Sequence, residues 1–429
     1  MNRLRLFFTF VLFFNVFLSI HSQNFTVSAN RIDRTYKVGD IPQYIIHISK
    51  IWKDSIHTID YEMGPEKMNY SKKCRLNING EENVLKGITL KTPGFTTLKI
   101  NFKVNNRQYE KKINTAFSPE LIKPTTYIPE KFNEFWNDLK KESDHNPLDY
   151  NITLWKEKCT NKVNVFFADF RNYRNGSRIF GVLCIPNKGG KYPAVLRLPG
   201  SGIKNYEGDI KLAEKGFITY EIGIHGIPVN LPPNVYQALA SGALRNYKYF
   251  NLDQKENYYF NRVYMGCYRA IEFLYSLPEY DHKNMIVYGR SQGGGLSIVT
   301  AALNSKVSMI ICYFPALCDL HGFLHKRAGG WPDLFRKGTP CSNSKEAIQT
   351  AAFYDVVNFA PFVKVKGFYC FGYNDFVCGA TSMYAAYNRL GGNKYLNLKI
   401  DTGHAIYPEL WAISDDWLIN QVNKLYKNE

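Results

Sequence analysis

The chain has 429 residues, of which 45% are hydrophobic and 21% are charged, a composition typical of an ordinary globular protein. This length can bury one large core and a second, smaller one, so two domains are the default expectation. The formal net charge of +17 comes from scattered lysines and arginines, and no nucleic-acid recognition motif is present. We therefore predict a solvated basic surface and no nucleic-acid partner.

The first residues have the pattern of a secretory signal. Arg3 and Arg5 precede a nearly uninterrupted apolar run from Leu6 to Ile20. The run is short for a membrane span, and polar Asn15 interrupts it, so we predict a signal peptide over residues 1–22 rather than a membrane anchor. The mature protein is then expected to be secreted or periplasmic, without a membrane span.

The cysteines do not indicate a metal or redox site. There are nine of them, an odd number without regular spacing, so at least one thiol stays unpaired within the chain. Cys184, Cys312 and Cys370 lie in apolar runs, where a small buried hydrophobic residue is expected. Neither paired CxxC units nor an HExxH occurs, and we predict no metal.

Residues 23–118 have the pattern of short strands and turns that is typical of a small β-domain. Short apolar runs are separated by Gly, Asn and Pro turns, which indicates a small N-terminal β-sandwich, immunoglobulin-like in type. The runs are Tyr44–Ser49, Thr58–Met63, Ile88–Leu90 and Thr97–Val104. Glycan binding by this domain is a minority interpretation. The proline-marked segment from Ser118 to Pro129 is predicted to be a linker.

Residues 119–429 have a different pattern, in which strands and helices alternate from Lys162 onward. An amphipathic helix is predicted at Phe132–Trp136, and longer helical stretches at Tyr258–Leu277 and Thr381–Leu390. The β-prone runs are Ala194–Leu198, Phe217–Ile222, Met285–Tyr288, Val307–Phe314, Val365–Phe371 and Tyr395–Ile400. Such alternation predicts a mainly parallel sheet covered on both faces, with chemistry at the carboxyl ends of its strands.

One short stretch, Gly289–Gly293, has the sequence of a nucleophile elbow. It reads Gly-Arg-Ser-Gln-Gly, after a predicted strand and before a helical pattern. A serine at such a turn sits in strained backbone, and larger side chains two residues away on either side would collide. A bare GxSxG often occurs by chance, but this one has a predicted strand before it and a helical pattern after it. We therefore predict that Ser291 is a nucleophile.

A serine nucleophile needs a histidine base and a carboxylate that holds the histidine. Three histidines follow Ser291, namely His321, His325 and His404. His404 is the predicted base, because it follows the last strand-like run. His321 and His325 fall in a helical stretch, where surface or packing roles are expected.

The predicted acid is Asp375, which lies in the turn directly after the run that ends at Phe371. The order serine, acid, histidine is the one found in α/β-hydrolases. Asp401 is a rival, although its side chain is expected to cap its own turn. Asp319 also follows a strand and is a second rival or a pocket residue.

An oxyanion hole requires two backbone N–H groups that point at the developing negative oxygen. One is expected from Gln292, the residue after the nucleophile. The second is expected from Ser201, in the loop that follows the run Ala194–Leu198, with Gly202 as the alternative.

With these residues in place, the chain from about Pro129 onward resembles the acetyl xylan esterase and cephalosporin C deacetylase family, carbohydrate esterase family 7. The matching stretches, in order, are FNEFW (132–136), GKYPAVLRLPG (190–200), RAIEFLYSLPEYD (269–281), GRSQGGGLSIVTAAL (289–303), PALCD (315–319), NDFVCGATSMYAAYN (374–388) and GH (403–404). The resemblance implies an α/β-hydrolase fold with Ser291, Asp375 and His404 as the triad. It also implies acetylated carbohydrate as substrate and a homo-oligomer.

Two loops beside the expected site depart from that family. Pro199-Gly200-Ser201 stands where the family usually has His-Gly-Tyr, and His225-Gly226-Ile227-Pro228 replaces Arg-Gly-Gln-Gly. The additional N-terminal domain is a third difference. We therefore expect the scaffold and mechanism to follow the family, and the two altered loops to shape the substrate pocket.

The sequence as a whole predicts a secreted serine esterase that removes acetyl groups from polysaccharide or oligosaccharide through an acyl-enzyme, without a cofactor. Two alternatives stay open. The first is an exported peptidase or another short-chain carboxylesterase, because an elbow and a triad do not define the acyl group. The second is a glycan-binding protein with an inactive hydrolase domain.

Overall fold

The computed structural model describes residues 24–174, 176–405 and 407–427. The chain divides into two compact units, and the boundary between Ile122 and Lys123 falls within the predicted linker. The predicted signal peptide, residues 1–22, lies outside the described residues. Over the described ranges, none of the helices has both the length and the apolar character that crossing a membrane requires.

The first unit consists of two sheets. Its elements are β1 (Phe25–Ala29), β2 (Thr35–Tyr36), β3 (Gln43–Ile48), α1 (Lys50–Lys53), β4 (Thr58–Pro65), β5 (Lys72–Asn77), β6 (Glu82–Lys86), β7 (Gly94–Val104) and β8 (Arg107–Phe117). One sheet has the order β1-β3-β6 and the other β2-β8-β7-β4-β5. All pairings are antiparallel except the short parallel ladder between β2 and β8.

Both sheets of the first unit contribute to one hydrophobic core. Ile46 from the smaller sheet and Ile100 from the larger one are buried in the same cluster. The rings of Phe25 and Phe102, again one from each sheet, stack with centroids 4.0 Å apart. The predicted strand at Ile88–Leu90 is wrong, because the chain pairs as β6 six residues earlier and is irregular afterwards.

The second unit is built on a single large sheet with helices between most of its later strands. Its elements are α2 (Phe132–Asp144), β9 (Asn151–Leu154), β10 (Val163–Arg171), β11 (Arg178–Pro186), β12 (Tyr192–Leu198), α3 (Ile210–Ala213), β13 (Ile218–Gly223), α4 (Pro233–Ser241), α5 (Tyr259–Ser276), β14 (Tyr280–Arg290), α6 (Gln292–Leu303), β15 (Met309–Tyr313), α7 (Lys345–Tyr354), α8 (Val356–Phe359), β16 (Lys366–Phe371), α9 (Ala380–Tyr387), β17 (Lys394–Leu398) and α10 (Pro408–Lys427).

The nine strands have the order β17-β16-β15-β14-β12-β13-β11-β10-β9. The ladders from β13 to β17 are parallel, and β9, β10 and β11 add an antiparallel wing. Every residue of β15 is buried, as expected for a parallel strand that is covered on both faces. The predicted α/β-hydrolase fold with a mainly parallel sheet is confirmed, whereas the wing was not foreseen.

Helix α6 packs closely against neighbouring backbone because three glycines follow its first residue. A Cβ on Gly294 would come within 2.6 Å of the Tyr313 carbonyl oxygen, and one on Gly295 within 2.4 Å of the Ala316 oxygen. Side chains larger than hydrogen would push the helix outward. This close approach sets the position of the turn between β14 and α6.

Candidate active site

Ser291 lies in that turn, between the last residue of β14 and the first residue of α6. Its backbone has φ 56° and ψ −123°, a conformation that is strained for a residue with a side chain. The Ser291 N–H donates to the Tyr313 carbonyl, and the Ser291 carbonyl accepts from the Ala316 N–H, both at 3.0 Å. These two bonds, one to the last residue of β15 and one to the segment that follows it, hold the turn in its strained form.

The two glycines of the elbow are required by close packing. A Cβ on Gly289 would lie 2.1 Å from the Gly293 carbonyl oxygen. A Cβ on Gly293 would lie 2.1 Å from the carbonyl oxygen of Leu198. Since such distances are far inside van der Waals contact, the GxSxG spacing is a steric necessity of this turn.

His404 reaches the serine from the loop after β17. Its Nε2 lies 2.9 Å from Ser291 Oγ. The imidazole is about one-fifth exposed, and its ring centroid lies 4.5 Å from that of Phe314. The Phe314 ring therefore packs against the imidazole. The second ring nitrogen, Nδ1, faces the acid.

Asp375 is fully buried and lies 2.7 Å, through Oδ2, from Nδ1 of His404. Its Oδ1 accepts the backbone N–H groups of Val377 and Cys378, at 2.9 and 2.8 Å. Because Nδ1–H donates to the carboxylate, Nε2 is left to accept the serine proton. The three side chains thus form one continuous hydrogen-bonded relay, in the arrangement that a serine hydrolase needs.

Asp319, the rival acid and suggested pocket residue, is engaged in an ion pair and in hydrogen bonds to the predicted linker. Its carboxylate is fully buried, forms an ion pair with Arg327 and accepts the Thr125 N–H and hydroxyl at 2.6 and 2.8 Å. The Thr126 N–H donates to the same oxygen. The end of the predicted linker is therefore fastened to the second unit by Asp319.

The other rivals also lie outside the relay. Asp401 shares the loop of His404, as predicted, but Nδ1 of His404 is taken by Asp375. His321 is buried with Nε2 2.9 Å from the Ile348 carbonyl, and burial lowers its pKa. His325 ends a short 3-10 turn at Gly322–His325 and is exposed.

The predicted oxyanion residues flank the serine. Gln292 is the first residue of α6, and the first N–H groups of a helix have no partner within the helix. A Cβ on Gly200 would lie 3.9 Å from Ser291 Cβ, so the loop after β12 passes directly beside the nucleophile. Ser201 follows in this loop and is exposed. The roles of Gln292 and Ser201 as N–H donors stay predictions.

Three further side chains connect the two oxyanion segments. The Tyr247 hydroxyl donates to Gln292 Oε1 at 2.5 Å, and the Tyr247 ring packs against the His225 ring with centroids 4.9 Å apart. Nε2 of His225 lies 3.1 Å from the Gly202 carbonyl, and Nδ1 lies 2.7 Å from the Tyr259 hydroxyl. Since a carbonyl only accepts, Nε2–H donates to Gly202 and Nδ1 accepts from Tyr259.

His225 is neutral at ordinary pH in this environment. Burial lowers the pKa of His225 to about 4, and the nearby positive charge of Arg262 acts in the same direction. The sequence marked His225 as a departure from the family, but it gave no signal for Tyr247, which begins the short 3-10 turn Tyr247–Tyr249 between α4 and α5.

The thiol groups of the cysteines are not part of this site. All nine are free thiols, and Cys184, Cys312 and Cys370 are buried in β11, β15 and β16, as predicted. Among the residues that the structure describes, no three His, Cys, Asp or Glu side chains gather in a way that could hold a metal ion.

Sheet order, elbow and relay together define a hydrolase of the α/β-hydrolase fold. A sequence model described as acetyl xylan esterase (AXE1) matches residues 120–420, which is most of the chain. The chain therefore belongs to the acetyl xylan esterase family, and it is a carboxylic-ester hydrolase. The predicted family resemblance and enzyme class are confirmed.

Similar proteins agree with this assignment. The chain is 33% identical over 374 residues to the acetyl esterase Axe7A of Xylanibacter ruminicola, covering 85% of this chain and 83% of that protein. The aligned 85% of this chain is longer than the second unit, Lys123–Glu429, so the similarity extends into the N-terminal unit. A solved acetyl xylan esterase from Paenibacillus sp. R4 aligns with a TM-score of 0.61 and 24% identity over 70% of this chain and 98% of that one.

Acetyl xylan esterase 1 from Thermoanaerobacterium sp. JW/SL YS485 also aligns with a TM-score of 0.61, at 23% identity, over 70% of this chain and 97% of that one. At these identities the similarity to the two solved structures shows a shared fold and nothing further.

Proposed function

We propose that this protein is an exported serine esterase that removes acetyl groups from polysaccharide or oligosaccharide through an acyl-enzyme. The observation that carries the proposal is the relay from Ser291 through His404 to Asp375, with distances of 2.9 and 2.7 Å. Membership of the acetyl xylan esterase family, and a relative named as an acetyl esterase, support acetyl as the acyl group.

In the first half of the reaction, Ser291 Oγ attacks the acetyl carbonyl carbon while His404 Nε2 takes the serine proton. The carbonyl π electrons move to the oxygen, which the N–H groups of Gln292 and Ser201 stabilise. Asp375 stabilises the imidazolium that forms. The tetrahedral intermediate then collapses, the ester C–O bond breaks, and His404 returns the proton to the sugar oxygen.

In the second half, water replaces the sugar. His404 Nε2 removes a proton from the water, whose oxygen attacks the acetyl-Ser291 carbonyl. Collapse of this second intermediate breaks the Ser291 Oγ–carbon bond, and His404 gives the proton back to Oγ. Acetate leaves and the enzyme is restored without a cofactor.

Export rests on the N-terminal pattern of Arg3 and Arg5 followed by the apolar run Leu6–Ile20. A secreted or periplasmic location suits an enzyme whose substrate is a polymer. We also propose a homo-oligomer, on the family resemblance. Light scattering of the purified protein tests the oligomer, and a mature N-terminus near Gln23 tests the signal peptide.

The acyl group is tested with 4-nitrophenyl acetate, butyrate and octanoate and a peptide anilide. Wild-type enzyme is expected to have its highest kcat/KM on acetate, and Ser291→Ala is the control for hydrolysis that does not use the site. A preference for octanoate or for the peptide would overturn the deacetylase assignment.

The acyl-enzyme is tested by rapid acid quenching during turnover of 4-nitrophenyl acetate. We expect one acetyl group on the peptide that contains Ser291 and none in the Ser291→Ala protein. Turnover of 4-nitrophenyl acetate by the wild-type protein at saturating substrate, without any acetylated Ser291 peptide, would count against the covalent route.

A further inference from the structure

The loop that carries the predicted second oxyanion donor has little support from its own backbone. It follows β12, contains Ser201 and passes beside the nucleophile, since a Cβ on Gly200 would lie 3.9 Å from Ser291 Cβ. Among the described residues, none of the backbone-to-backbone hydrogen bonds involves residues 200–205. A loop without such bonds opens easily unless side chains hold it.

Gly202 gives this loop additional freedom. Its φ is +121°, a conformation that residues with side chains rarely adopt, and a Cβ there would meet nothing within 4 Å. Glycine is therefore required at this position by the backbone conformation and not by a lack of space. Because Gly202 directly follows Ser201, the N–H groups of the loop can turn away from the nucleophile unless a bond fixes the peptide.

His225 supplies a bond at this point. It comes two residues after β13, which lies parallel and adjacent to β12, so the segments that follow the two strands leave the same edge of the sheet side by side. His225 Nε2–H donates to the Gly202 carbonyl at 3.1 Å. This bond fixes the direction of the carbonyl and limits rotation of the peptide units that carry the predicted donors.

The orientation of the His225 ring is itself fixed by two tyrosines. Nδ1 accepts from the Tyr259 hydroxyl at 2.7 Å, which keeps the proton of the neutral imidazole on Nε2. Burial raises the pKa of Tyr259 to about 12, so its hydroxyl stays protonated and can donate. The Tyr247 ring packs edge-on against the imidazole, with centroids 4.9 Å apart. The buried imidazole therefore has one orientation and one tautomer in which it can hold Gly202.

We propose that His225 is a positioning residue for ester hydrolysis: it holds the loop after β12 so that the N–H of Ser201 points at the oxyanion, and Tyr259 acts through it. The inference rests on the serine mechanism proposed above but not on the acyl group. Because the oxyanion exists only in the transition state and the intermediates, a displaced loop lowers kcat more than it raises KM.

The test compares His225→Gln with His225→Met in the full-length protein. Both changes remove the ring and its packing, but the glutamine amide keeps an N–H donor near the position of Nε2, whereas methionine has none. Steady-state hydrolysis of 4-nitrophenyl acetate is measured at equal concentrations of folded protein. We expect kcat of His225→Met to lie at least about fivefold below that of His225→Gln, with little difference in KM.

His321→Met is the matched control. His321 is also a buried histidine whose Nε2 lies 2.9 Å from a backbone carbonyl, that of Ile348, but it lies outside the relay and outside the loop after β12. This variant is expected to lower the melting temperature and to leave kcat of the folded protein near that of wild type. If His225 served packing alone, His225→Met and His225→Gln would have equal kcat, and that result would overturn the proposal.

Tyr259→Phe tests whether Tyr259 acts through His225. The change removes the donor to Nδ1 and permits the tautomer with the proton on Nδ1, in which Nε2 no longer donates to Gly202. We expect kcat to fall in Tyr259→Phe, and not to fall further when this change is added to His225→Met. Additive losses would overturn the role given to Tyr259. If wild type prefers another ester over acetate, the deacetylase assignment fails, and the same variants compared on that ester still test the loop.

Discussion

Tyr247→Phe tests whether the segment between α4 and α5 takes part in positioning the oxyanion hole. The change removes one oxygen and keeps the ring, which packs against His225 and Tyr259 with centroids 4.9 and 5.1 Å away. What is lost is the 2.5 Å hydrogen bond to Gln292 Oε1. The lost partner, Gln292, carries one of the two predicted oxyanion donors.

The size of the effect follows from the burial of Gln292, which is fully inaccessible to solvent. A buried amide left without its partner costs about 1 to 3 kcal/mol. If this cost is paid by misplacing the Gln292 N–H in the transition state, kcat/KM falls by roughly 5- to 150-fold. The fall is expected mainly in kcat, because the oxyanion exists only in the transition state and the intermediates.

The assay is steady-state hydrolysis of 4-nitrophenyl acetate, with kcat and KM determined separately for Tyr247→Phe and Tyr236→Phe. Tyr236 lies on α4 and its hydroxyl bonds only backbone groups of Pro228 and Leu231, so its variant reports the cost of removing a nearby buried hydroxyl. Equal kcat in both variants and wild type would refute the positioning role of Tyr247.

Three other changes have defined outcomes. Asp375→Asn is expected to lower kcat by several orders of magnitude with little loss of melting temperature, because the amide oxygen still accepts two backbone N–H groups. Gly293→Ala is expected to abolish activity and to lower the free energy of unfolding by about 1 to 3 kcal/mol, because its Cβ would lie 2.1 Å from a carbonyl oxygen. Gly80→Ala is the control, since its Cβ would meet nothing within 4 Å. The pKa of His225 in the folded protein is about 4, below its unfolded value of about 6.5. The unfolded chain therefore binds more protons as pH falls below about 6.5, and the folded state loses stability. Between pH 7 and 5 the free energy of unfolding should drop by about 2 kcal/mol more in wild type than in His225→Gln.

Each of these has a contradicting result. Near-normal kcat in Asp375→Asn would mean that another group holds His404. Gly293→Ala behaving like Gly80→Ala would mean that the elbow backbone can relax. An identical slope of unfolding free energy with pH in wild type and His225→Gln would mean that His225 is not held neutral.

The sequence was informative where local chemistry and chain position coincide. The buried strand β15 and the glycine-bounded Ser291 have strong local patterns, and Asp375 and His404 each follow a late strand. In a parallel sheet the carboxyl ends of such strands meet at one edge, which is why residues 113 and 29 positions apart could be grouped in advance.

Contacts without a local pattern could not be predicted. Tyr247 reaches Gln292 across 45 residues, and Asp319 holds Thr125 across 194. Tyr247 and Thr125 belong to no recognisable motif, so only the packed structure brings them to Gln292 and Asp319. The antiparallel wing was missed for a different reason, since periodicity predicts that β10 and β11 are strands but not whether they pair parallel or antiparallel.

The most direct test of the central claim is acetate release from acetylated xylo-oligosaccharides by wild-type protein and by Ser291→Ala, measured at equal concentrations of folded protein. The relay in which Ser291 Oγ lies 2.9 Å from His404 predicts rapid acetate release by wild type and a rate lower by several orders of magnitude in the variant. Comparable acetate release by the two proteins would contradict the assignment of Ser291 as the nucleophile.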